Sequence, residues 1–132
     1  MSDFFQDAEP VFSYGPGDAA SDGMLVLASD ALHDQVAKTN PSFPLGTIMY
    51  TPGAFEVAER SGGDMDTAFG AVLKRYAHRD WGKVDPEDAE ENDVALAQGD
   101  QVLGSYAIGE ETVWVITEGD RALTTILTPA EY

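Results

Sequence analysis

The chain has 132 residues, a net charge of −17 and no cysteine, a length for which one domain is the default. The absence of Cys excludes disulfides, thiol catalysis and thiolate metal sites. Seven Lys and Arg against 24 Asp and Glu disfavour direct binding to nucleic acid or to an anionic membrane. A hydrophobic fraction of 43% is enough for a packed core, and no run of 18 apolar residues spans a bilayer. The N-terminus, Met1 to Asp7, lacks the basic and apolar segments of a secretory leader, so a cytoplasmic location is expected.

Residues 1–23 are rich in Gly, Asp and Ser and carry Phe4, Phe5, Phe12 and Tyr14. They read as an arm with little regular structure and one short strand at Val11-Phe12-Ser13-Tyr14. Met24-Leu25-Val26-Leu27 reads as a second strand. Ser29 caps a helix from Asp30 to about Lys38, and Asn40-Pro41 with Phe43-Pro44 marks a loop.

Gly46 to Tyr50 reads as a strand. Thr51-Pro52 then supplies an N-cap followed by proline at the first helical position, opening a helix to about Arg60. Asp64 begins the clearest helix, in which Met65, Ala68, Phe69, Val72, Leu73 and Tyr76 form a continuous apolar stripe. Trp81 is expected to anchor the connector after it. Asp85 caps a further helix, with Pro86 at its first position, a Val84–Ala89 staple and Gly99 as terminator. Ala89, Asn92 and Leu96 share its inner face.

Three strands follow as an antiparallel meander, about Val102–Ile108, Thr112–Thr117 and Ala122–Leu127, joined at Gly109-Glu110-Glu111 and Glu118-Gly119-Asp120-Arg121. The whole reads as α+β: a C-terminal three-stranded antiparallel meander packed by several helices, with a partly irregular N-terminal arm. Residues 1–44 form the arm with its short strand and helix, and residues 45–132 form a compact α+β domain, together one structural unit.

Between Lys83 and Arg121 stand eleven carboxylates and no Lys or Arg. Asp85, Glu87, Asp88, Glu90, Glu91 and Asp93 belong to the Asp85 helix, and Glu110 and Glu111 to the first hairpin turn. These eight are the expected partner-binding residues. Part of the helical run has a local use, because carboxylates favour a helix N-terminus. Glu87, Glu90 and Glu91 point outward together, and like charges at i,i+3 and i,i+4 cost about 0.2–0.5 kcal/mol each. A surface that keeps them can serve a basic protein groove. The competing explanations are a solubilising or halophile-type surface and a plain solvated helix face. Four of the seven cations, Lys74, Arg75, Arg79 and Lys83, lie within ten residues, where local pairing with acids is the simpler expectation.

No catalytic residue, metal ligand or cofactor is expected. Ser105, His78 and Asp80 can be written as a triad, but no nucleophile elbow supports it. Asp64-Met65-Asp66 lacks the sixth-position glycine of a calcium loop. Asp120-Arg121 reads as a local ion pair in a turn. Gly15-Pro16-Gly17 lacks the lysine of a phosphate-binding loop.

One set of segments carries a family resemblance: Leu45-Gly46, Thr51-Pro52-Gly53-Ala54, Asp80-Trp81-Gly82, Asp88, Asn92, Ala95-Leu96, Gly99, Trp114-Val115-Ile116-Thr117-Glu118-Gly119-Asp120-Arg121, Thr124-Thr125-Ile126-Leu127, Pro129 and Glu131-Tyr132. In this combination the chain resembles small plasmid- and prophage-borne bacterial proteins of unknown function, some labelled as restriction-system proteins. Where that family shows Arg-His and a Gly before Asp-Trp-Gly, this chain has Arg75-Tyr76 and Arg79. The stretch Val11–Leu27 resembles a second small mobile-element family. The resemblance implies no activity. It implies a mobile-element setting, in which small acidic proteins often inhibit host defence, such as anti-restriction or anti-CRISPR proteins. The expectation is therefore a non-enzymatic protein that binds and blocks a basic nucleic-acid-handling host protein. The alternative is an accessory or structural domain whose acidity suits its solvent.

Overall fold

The computed structural model describes residues 25–132. The expected strand at Val11–Tyr14 and the rest of residues 1–24 lie outside the described residues. Among the described residues, five strands form one mixed sheet: β1 (Val26–Leu27), β2 (Thr47–Tyr50), β3 (Val102–Ile108), β4 (Glu111–Thr117) and β5 (Leu123–Leu127). Four helices, α1 (Asp30–Ala37), α2 (Pro52–Arg60), α3 (Met65–Ala77) and α4 (Pro86–Gln98), and a 3₁₀ turn at Pro129–Glu131 complete an α+β fold.

The sheet order is β1-β2-β5-β4-β3. The expected meander of β3, β4 and β5 is antiparallel. It is extended by β2, which pairs parallel to β5, and by β1, antiparallel to β2. Of the expected strand Met24-Leu25-Val26-Leu27, the described part forms β1 at Val26–Leu27. Residues 26–44 share the sheet and the core with the later chain, since Leu32, Val36 and Phe43 belong to the same buried cluster.

Local signals set the helix starts. Ser29, Thr51 and Asp64 each stand in extended backbone, and their side chains accept from Leu32 N, Ala54 N and Thr67 N. The apolar stripe of α3 faces the sheet, with Phe69, Val72, Leu73 and Tyr76 buried. On that side of the sheet they meet Ile48, Val102, Tyr106, Val113, Val115 and Ile126, which also pack with α1 and α2. Trp81 is buried as expected, within an aromatic group where its ring centroid lies 5.9 Å from Phe43 and 5.5 Å from Tyr76.

A chain of hydroxyls crosses this core. Thr124 donates to the Leu45 carbonyl, so it accepts from Thr117, which accepts from Tyr76. Burial pushes the Tyr76 hydroxyl well above its ordinary pKa, keeping it a neutral donor. The outer edge of β3 is also closed. Ser105 donates its N–H to the Trp81 carbonyl and accepts from Lys83 N, while the Asn92 amide holds both the N–H and the carbonyl of Leu103. Gly82 sits in the left-handed region at φ 77° with the Ser105 carbonyl where a Cβ would be, so this approach requires glycine.

Candidate partner-binding surface

Helix α4 lies along the β3 edge because one face of it reads the strand and the other does not. Asn92, 8% exposed, makes the two bonds to Leu103, and Ala89, Ala95 and Leu96 pack against the core beside it. Val84 and Ala89 both reach the core from the staple positions. Gly99 closes the helix at φ 78°. One expectation needs correction: Asp85 occupies the N-cap position, but its side chain makes no capping bond. Its carboxylate is exposed to solvent instead.

Glu87, Glu90, Glu91 and Val94 follow at i, i+3, i+4 and i+7 and form the outward stripe, all exposed. Val94, 52% exposed, is an apolar residue set among the carboxylates. Asp88 and Asp93 are exposed on the flanks. Asp93 accepts from Trp81 Nε1 at 3.3 Å and stands 3.7 Å from Arg79 Nε.

The arginines are committed elsewhere. Arg60 makes a two-point pair with Glu111 at 2.7 and 2.8 Å, which holds the Glu111 carboxyl below its ordinary pKa. Arg75 pairs with Asp80 at 2.8 Å and lies over the Tyr106 ring. That pair lowers the Asp80 pKa. Arg121 donates to the carbonyls of Glu118 and Ala95, the latter in the last turn of α4. Among the described residues, the ion pairs are those of Arg60, Arg75 and Arg79. None involves Glu87, Glu90 or Glu91.

The eight expected contact residues therefore divide. Asp85 at the N-cap and Glu87, Asp88, Glu90 and Glu91 in α4 have no cation bonded to them among the described residues. Asp93 shares that helix but faces Trp81 and Arg79. Glu110 is exposed at the β3–β4 turn, and Glu111 opens β4 bound to Arg60 of α2. The hairpin acids thus belong to the α2 end of the molecule.

The other chemical candidates are used in packing. His78 bonds the Thr39 carbonyl, Asp80 bonds Arg75 and the Gly82 N–H, and the Ser105 backbone pairs with Trp81 and Lys83. His33 bridges the Ser29 carbonyl and the Ile48 N–H, so its Nε2 accepts and its Nδ1 carries the proton. Asp120 and Arg121 are not the expected ion pair: Asp120 accepts from Ala122 N while Arg121 reaches carbonyls. Among the described residues no three His, Asp or Glu side chains converge as a metal site requires.

Sequence reasoning missed the use of Glu131. Its carboxylate accepts from Thr51 Oγ1, Gly53 N, Thr128 N and Thr128 Oγ1, tying the C-terminus to the first turn of α2. A side chain at Gly53 would collide with that carboxylate. Some of the segments that carry the resemblance meet in space: Thr51-Pro52-Gly53-Ala54 with Glu131, and Thr117 with Thr124 and Leu45. No protein-family model matches the chain, and neither does any curated protein or solved structure.

Proposed function

We propose that this chain is an acidic inhibitor that binds a basic, nucleic-acid-handling host protein through the outward side of α4. Glu87, Glu90 and Glu91, with Asp85 and Asp88 beside them, present a carboxylate array to a groove that otherwise holds phosphates, in the manner of an anti-restriction or anti-CRISPR protein. The supporting observation is the distribution of cations. Arg60, Arg75 and Arg79 neutralise other acids and Arg121 binds carbonyls, while the α4 stripe has no ion-pair partner among the described residues. The mobile-element resemblance supports the same reading by analogy.

Attraction of this kind is fast and weakens with salt. Glu87→Lys/Glu90→Lys/Glu91→Lys removes the array while leaving the Asn92 face of the helix intact. Immobilised wild-type chain should retain a basic nucleic-acid-binding protein at low salt and release it at high salt, and the triple variant should retain none. Equal retention by the variant would remove α4 as the contact surface.

A further inference from the structure

The strand register lays one side chain from each strand in a row across the sheet face opposite α1–α3: Leu27, Met49, Thr125, Ile116 and Leu103. Leu127 and Trp114 pair in the next row. None of these belongs to the cluster that the helices build. Tyr132 packs edge-on against Trp114 at one end, with ring centroids 5.6 Å apart. In the middle of the row Thr125 and Ile116 are nevertheless only 7% and 4% exposed, while Leu27 at the open edge is 58% exposed. A sheet that is apolar on both faces requires cover on both.

We infer that the occupant of this second face is the chain's own segment 1–24. Its point of attachment is the first argument, because it runs directly into β1, the edge strand where the row begins. Its length is the second. Fully extended it reaches roughly 80 Å, and four interstrand spacings amount to only about 20 Å. Its composition is the third. Phe4, Phe5, Val11, Phe12 and Tyr14 supply apolar side chains, and Phe12 and Tyr14, two residues apart, fall on one side of an extended chain. Asp3, Asp7, Glu9, Asp18 and Asp22 accompany them without any Lys or Arg. Docking therefore replaces an apolar back with an acidic one.

The absence of cysteine makes a direct test available in the full chain. A nitroxide attached at Ser13→Cys should strip most of the methyl NMR intensity from Leu103, Ile116 and Leu127. The methyls of Leu32, Val57 and Leu73, in the helix-packed core, should stay sharp, and their spectrum reports that the chain is folded. Phe12→Ser/Tyr14→Ser in the labelled chain should restore the lost signals. Uniform loss, or none, overturns the inference. So does loss that appears only when spin-labelled chain is mixed with separately isotope-labelled chain, which assigns the face to a second copy. The readout does not involve the α4 stripe, so its failure leaves the proposed partner surface standing.

Discussion

Burial pushes the Glu118 carboxyl above the ordinary Glu value of 4.5, against a weaker opposing effect from its bond to Gln101. The unfolded chain holds that proton less tightly, so the ionised side chain opposes folding once the pH passes the folded value. The opposition is absent below the unfolded pKa. Glu118→Gln is expected to melt higher than wild type at pH 7, with the advantage shrinking as the pH falls through the raised folded value and gone below about 4.5. A lower melting temperature at pH 7 would mean that the Gln101 bond outweighs burial. Asp80 behaves oppositely, since its bond to Arg75 lowers its pKa and is lost only on acidification through that lowered value. Side chains with this much local use were only partly legible beforehand. The capping roles of Ser29, Thr51 and Asp64 act within three residues and show in the sequence, whereas Glu131 meets Thr51 across 80 positions and His33 meets Ile48 across 15.

At the scale of elements, α4 serves two surfaces. Its inner face completes the sheet edge through Asn92, which replaces a neighbouring strand at Leu103 and denies that edge to another chain. Asn92→Asp keeps the acceptor for Leu103 N but sets a carboxylate oxygen against the Leu103 carbonyl. It should cost about 1–3 kcal/mol, read as a lower urea midpoint at unchanged slope. An unchanged midpoint would show that the two bonds contribute nothing net. The inner face of α4 was visible in the sequence from the Ala89, Asn92, Leu96 spacing, and Gly99 marked its end. The parallel pairing of β2 with β5 was not visible. Four residues of strand specify no partner, and two hairpin strands and three helices intervene before β5 arrives.

For the whole molecule, a charge of −17 is a long-range field as well as a set of contacts. Screening of such repulsion is largely complete once the Debye length has fallen to about 3 Å near 1 M salt. The melting temperature in KCl should therefore rise and then level off below roughly 1 M. A rise that continues well into molar salt would favour acidity as an adaptation to a saline solvent. The acidic run itself was plain in the sequence, but its division was not. The sequence could not show that Arg60 of α2 would bind Glu111 at the start of β4, or that Trp81 and Arg79 would approach Asp93. Among the described residues, the unpaired acids gathered on one helix side are Glu87, Glu90 and Glu91, with Asp85 and Asp88 beside them.

Displacement of labelled duplex DNA tests that surface most directly. Wild type and Glu87→Lys/Glu90→Lys/Glu91→Lys would be titrated against a panel of DNA-bound restriction and CRISPR effector complexes, at several salt concentrations. Wild type is expected to displace DNA from at least one complex, less effectively as salt rises, and the triple variant to displace none. Equal displacement by the two proteins, or none by wild type at low salt, would contradict the account.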